Sequence, residues 1–189
     1  MLFSKSVFAG GCAILAAGLV SAQNEAFQAS LTPEHALHGR DTRIEGVALS
    51  VWGENPQSAL AIGFVNGSTG LSRGLSFGLV NYAESYSGAQ WSLVNFAHAD
   101  MSGWQGGPVF GLIVSALNYC GGNMNGLQTG LVNLSGGMSG VQVGVVNYAQ
   151  RMEAGLQVGL VNLIGNTGGW FTNWPNEVAP CMVLANWKF

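Results

Sequence analysis

The feature that most constrains this chain is a repeat of fourteen or fifteen residues that closes on an asparagine. Its clearest copy is Gly155-Leu156-Gln157-Val158-Gly159-Leu160-Val161-Asn162. Aligned on that Asn, earlier copies end at Asn66, Asn81 and Asn95, and later ones at Asn133 and Asn147. Between the two groups an irregular copy over residues 107–114 ends in Ser115 and runs on to Asn118. A period sustained over so much of the chain outranks local propensity, because each unit must bury its faces against the next.

Each copy reads as a strand. In the copy that closes on Asn147, Val141, Val143, Val145 and Asn147 alternate with Gln142, Gly144 and Val146, and no charge interrupts them. A helix is disfavoured, since the central Gly costs about 1 kcal/mol against Ala and the β-branched neighbours add to that. The connections carry turn formers, Asn66-Gly67-Ser68, Ser135-Gly136-Gly137 and Gly165-Asn166. With strands of about nine residues, only about five or six remain per turn, too few for a helical crossover, which excludes βαβ folds.

Two all-β architectures satisfy these limits. The first is an antiparallel meander closed as an outer-membrane-type β-barrel of about ten strands, with further strands near residues 27–37, 44–52 and 182–189. Tyr82, Phe96 and Tyr148, which follow the Asn, would then alternate between the rims as aromatic girdles, and the closing stretch 185–189 would seal the sheet. The alternative is a parallel β-solenoid with coils of about fifteen residues, which suits near-identical units and turns Tyr86, Met101, Met124 and Met138 into the core. Strand counting favours the barrel.

Residues 1–22 read as a signal peptide: Lys5 precedes an uncharged apolar stretch at 7–20, and Val20-Ser21-Ala22 places small residues at the cleavage site. Residues 23–189 then form a single β repeat domain. The chain carries only six Lys and Arg and nine Asp and Glu in 189 residues, and no charge at all from Met101 to Gln150. So bare a surface points to a membrane or an assembly. A net charge of −3 without a basic cluster argues against nucleic acid. Cys120 and Cys181 are either bridged or two separate buried thiols, and their separation carries no metal-site signature.

No constellation for catalysis, metal or cofactor emerges. His35 and His38 near Glu34 and Asp41, and His98 near Asp100, lack a compact ligand set or an accompanying nucleophile. Glu84, Arg151 and Glu153 mark wet turns between apolar strands. Two groups remain as candidate sites. Gln90, Gln128, Gln142 and Gln157 recur at one repeat position and suit an amide ladder or the lining of a polar lumen. Trp170, Phe171 and Trp174 suit interfacial anchoring.

The units Gly126-Leu127-Gln128-Thr129-Gly130-Leu131-Val132-Asn133 and 155–162, the closing Trp174-Pro175 through Pro180, Asn186 and Phe189, and the opening Leu31-Thr32-Pro33 with Arg43-Ile44-Glu45-Gly46-Val47 together form a pattern. In it the chain resembles bacterial surface-repeat families built from Gly-Leu-Gln-x-Gly-Leu-x-Asn units after a signal peptide. The resemblance implies an exported, uncharacterised surface or outer-membrane protein with no catalytic residue to carry over, and implies the outer-membrane insertion machinery and a lipid bilayer as partners. The functional expectation is a non-enzymatic bacterial surface or outer-membrane structural protein, with an exported solenoid that binds a protein or polysaccharide partner as the alternative.

Overall fold

The computed structural model describes residues 24–107 and 115–189. The expected signal peptide and most of the irregular copy lie outside the described residues. Eight strands follow in order: β1 (Asn24–Ser30), β2 (Arg43–Glu54), β3 (Leu60–Phe77), β4 (Val80–Trp91), β5 (Val94–Ala97), β6 (Met101–Gly106), β7 (Ser115–Ile164) and β8 (Cys181–Lys188). Every pairing among β1 to β7 is parallel, and only β8 runs antiparallel, against β7.

The barrel expectation is therefore corrected. The sheet is not closed into a barrel; its parallel order is that of a β-solenoid. Each period is one complete coil rather than a strand and a hairpin turn, so the chain returns to the same side and the next copy lies beside the last in register. Asn66 faces Asn81, Asn81 faces Asn95, and Asn95 faces Asn118. A meander would have put successive Asn residues at opposite ends. With the barrel go the outer-membrane barrel, the transmembrane strands and the ten-strand count. The aromatics form no girdles either: Tyr82, Phe96 and Tyr119 share one column on one side. The closing stretch seals no sheet, because β8 lies across the last coil and covers its end.

The alternation expected through the Asn147 copy also changes. Gln142 and Gly144 point inward, Val145 and Val146 both face outward, and Asn147 is inside again with no exposure. The chain bends at the Gly, so one copy supplies two short faces of the coil and not one flat strand. The neighbouring coil leaves no space at that Gly in this copy or the next, although Ser50, Ser92 and Ser115 hold the same column on other coils. A Cβ on Gly144 would stand 2.1 Å from the Gly130 carbonyl oxygen, and one on Gly159 only 2.0 Å from that of Gly144. The first Gly of the copy has a different reason: Gly88, Gly103, Gly126 and Gly140 hold φ between 124° and 139°, a region that side chains rarely enter.

The core is a set of side-chain columns parallel to the axis. One runs through Tyr86, Met101, Met124, Met138 and Met152, all buried, and beside it run Ala83, Ala97, Cys120, Ala149 and Ile164. Unbranched methionine suits a column in which each side chain must lie on a copy of itself. Cys120 and Cys181 are free thiols, and burial pushes the Cys120 thiol up to about 11.

Both ends are covered, as a parallel sheet with open edges requires. At the N-terminal end the Gln28 amide donates to the His38 carbonyl and to Asn55 Oδ1, both at 2.9 Å, and the Asn55 amide reaches the Gly39 and Thr42 carbonyls. At the other end Val178 and Ala179 are buried beneath the β8 turn, the Asn186 amide donates to the Ala179 carbonyl, and Lys188 pairs with Glu177 at 3.2 Å.

Candidate binding face

The expected glutamines lie in one buried column. Gln105 Nε2 donates to Gln90 Oε1 at 3.0 Å, Gln128 to Gln105 at 2.9 Å, Gln142 to Gln128 at 2.8 Å, and Gln157 to Gln142 at 2.8 Å. Gln105 was absent from the sequence expectation because its copy is interrupted, yet Gly103-Trp104-Gln105 carries the same Gly-x-Gln signature. The columns keep their register across the longer Asn95 to Asn118 interval: Asn95 pairs with Asn118 and Met101 with Met124.

A second ladder was missed altogether. Asn66 Nδ2 donates to Asn81 Oδ1, and the relay continues through Asn95, Asn118, Asn133 and Asn147 to Asn162 at 2.8–3.2 Å. These amides also reach backbone carbonyls, as sequence reasoning expects of Asn at a turn: Asn133 to Val143 O and Asn147 to Val158 O, for example. The recurrence of the Asn at fourteen or fifteen residues was the available signal. Inward-facing repeats of one amide satisfy each other, so polar groups fill the core and leave the apolar residues to face outward.

The outward residues next to the central Gly form the resulting surface. Val/Ile/Phe positions precede it and Leu/Val/Phe positions follow it: Ile62 and Phe64, Phe77 and Leu79, Val143 and Val145, Val158 and Leu160. All eight are exposed, Phe64 at 60% and Leu160 at 61%. They make two ridges with a furrow over the Gly on one corner of the solenoid, on the coils of Gly63 and Gly78 and on those of Gly144 and Gly159, while Ser92 and Ser115 hold the same column between. Three hollows lie on it. One sits against the N-terminal cap between Leu31, Leu37, Leu49 and Val51, one between Leu49, Ile62, Phe64 and Leu79, and one between Leu131, Val143, Val158, Leu160 and Leu184.

No acidic or basic residue lines these hollows apart from His35 at the N-terminal cap. The charged residues of the repeat sit in its turn, away from the corner: the Glu84 carboxylate accepts from the Gly70 amide and the Asp100 carboxylate from the Asn123 amide. Among the described residues no group of three or more His, Cys, Asp or Glu gathers as a metal site.

The side aromatics are packed on one another. Phe96 and Tyr119 are stacked, centroids 4.7 Å apart and planes 11° from parallel, and Trp91 meets Trp104 edge to face at 5.0 Å. Trp104 further donates to Thr129 Oγ1. Trp170, Phe171 and Trp174 are brought together in the loop before β8, with neighbouring centroids 6.4 and 6.3 Å apart, and Trp187 extends the row at 5.6 Å. They stand at the C-terminal end, apart from the hollows of the corner. Comparison of the chain with protein-family models, with curated proteins and with solved structures finds no match.

Proposed function

We propose that this chain is an exported, non-enzymatic β-solenoid module that binds a protein partner along its apolar corner. The observation that carries the reading is the corner itself, an uncharged double ridge exposed on the coils of Ile62 to Leu79 and again on those of Val143 to Leu160. Its ridge residues Ile62, Phe64, Phe77, Leu79, Val143, Val145, Val158 and Leu160 are all exposed, large apolar side chains left uncovered side by side. Such a face lowers its free energy by being covered.

A protein suits it better than a polysaccharide. Sugars need hydrogen-bonding groups and open ring faces, whereas the corner presents aliphatic side chains and the flanking Phe96 and Tyr119 rings cover each other. The test is a photo-crosslinking residue placed at Phe64 or Leu160 in the cells that export the protein. A protein adduct at both positions is expected, with none from the same residue at Glu153 in the turn. Equal labelling at all three positions, or no adduct at the corner, would sink the reading.

A further inference from the structure

We propose that the first coils bind one buried water molecule, which takes the place of an asparagine amide where Gly53 leaves the Asn column without a side chain. The case begins with serines in the column of the central Gly. Ser92 and Ser115 stand there on later coils, and Ser30 pairs with Ser50 in the same column at the N-terminal end. On the later coils the hydroxyl has a fixed acceptor three residues on. Ser92 Oγ donates to Asn95 Oδ1 at 2.7 Å, and Ser115 Oγ to Asn118 Oδ1 at 2.6 Å.

The first coils lack that acceptor: Gly53 stands three residues after Ser50, and Pro33 three after Ser30. Ser50 Oγ turns instead to Asn66 Oδ1 on the next coil, at 3.1 Å. Ser30 Oγ is left without a hydrogen-bond partner among the described residues, on a side chain that is only 7% exposed. A buried hydroxyl in that condition is costly unless a solvent molecule completes it.

The geometry provides for one. Gly53 pairs with Asn66, the first member of the Asn ladder, and a Cβ on Gly53 would point between the two serines, 3.1 Å from Ser30 Oγ and 3.0 Å from Ser50 Oγ. The cavity there measures about 10 Å³ and is lined by Ser30, Ser50, Gly53 and Asn66. A single water needs about 10–15 Å³ of such space and two to four polar partners.

The ladder assigns the roles. Asn95 accepts from Ser92 through its oxygen and donates to the next Asn through its nitrogen. Water in the Gly53 cavity does both: it accepts from the Ser30 hydroxyl and donates to Asn66 Oδ1, whose other lone pair takes the Ser50 hydroxyl. Its second hydrogen goes to Ser50 Oγ.

A crystal structure at atomic resolution tests this. One ordered water is expected within about 3.2 Å of both Ser30 Oγ and Asn66 Oδ1. Magnetic relaxation dispersion of water oxygen gives a second readout, because it counts long-lived internal waters in solution. One fewer is expected in the Ser30→Ala/Ser50→Ala double variant, and one fewer in Gly53→Asn, whose own amide enters the column. The count should not change in Ser68→Ala: Ser68 Oγ is also buried without a partner but does not line the cavity. A cavity without density, a Ser30 hydroxyl bonded to a protein group, or one count shared by the unaltered chain and both of the first two variants overturns the proposal.

Discussion

The coils of β7 and those of β2 and β3 follow the same path with different fillings. In β7 the inward positions repeat: Gln128, Gln142 and Gln157 in one column, Asn133, Asn147 and Asn162 in another, Met138 and Met152 in a third. In the earlier coils Ala48, Ala61 and Ser76 occupy the glutamine column, Ile44, Gln57 and Ser72 the methionine column, and Gly53 replaces the first Asn. The shorter side chains leave a void of about 10 Å³ between Gln28, Ala48, Asn55 and Asn66, and the buried Ser30 and Ser68 hydroxyls have no partner, whereas in the copied Gln column the partnerless buried atom is the terminal one, Gln157 Oε1. A column of one residue type solves its polar problem once and copies the answer, whereas a mixed column must find a separate partner for each group. Gln57 finds one in the Tyr86 hydroxyl at 3.0 Å, and that ring joins the two regimes.

The largest effect should come from breaking the copied column. Asn133→Ala strips Asn118 Nδ2 of its acceptor and Asn147 Oδ1 of its only ladder donor, two buried orphans at about 1–3 kcal/mol each, so a loss of roughly 3–5 kcal/mol is expected in denaturant unfolding. Asn66→Ala should cost about half as much, because Asn81 Oδ1 keeps the Ser76 hydroxyl at 2.9 Å. Equal losses at the two sites would erase the distinction between regions.

The junction between them is reached through pH. Burial pushes the Tyr86 phenol up to about 12 from 10.0 and the Cys120 thiol up to about 11 from 9.0. Both are neutral when folded, and above pH 9 the unfolded chain releases protons that the folded chain keeps. Stability from this source is therefore whole below pH 9 and is lost as pH rises towards 12. Tyr86→Phe should remove on the order of 2 kcal/mol of the loss seen between pH 10 and 11.5, while costing about 1 kcal/mol at pH 7 through the abandoned Gln57 amide. An unchanged alkaline slope would show that Tyr86 does not join the regimes as described.

The smallest effect sharpens the comparison in the opposite direction. Ser68→Ala converts a mixed position to the residue already present at Ala83 and Ala97, removes a hydroxyl without a partner, and should raise the midpoint by the equivalent of about 1 kcal/mol.

Much of this architecture was legible in the period, and its handling of direction was not. The Asn spacing located the coils from Asn66 to Asn162 but not the first ones, where Gly53 stands in the Asn column, and the placement of Tyr86 and the methionines inside followed from treating a turn residue as core. The closed meander was favoured because strand counting and the aromatics after each Asn weigh the same evenly spaced residues in either arrangement; only the register of Asn66 on Asn81 and Asn95 separates the two. The corner was hidden for a related reason. Strict alternation places Val145 and Val146 on opposite faces, whereas in the coil Val145 is exposed and Val146 half-buried beside it. The Gln column was visible as recurrence, and the Asn column was assigned to local turns because an Asn that caps a turn and an Asn that relays to the next coil have the same sequence signature.

The two ladders differ in one respect that bears on the whole molecule. Every Asn amide donates towards the C-terminal end of the solenoid, and every Gln amide donates towards the N-terminal end. Each file is a row of aligned dipoles of the kind that gives a helix its charged ends. Run in opposite senses, they oppose each other on the coils from Gln90 to Gln157. The solenoid can therefore lengthen by whole coils without building up a potential at its tips, and its caps need offer no compensating charge: the Glu177–Lys188 pair at the C-terminal end is neutral as a unit.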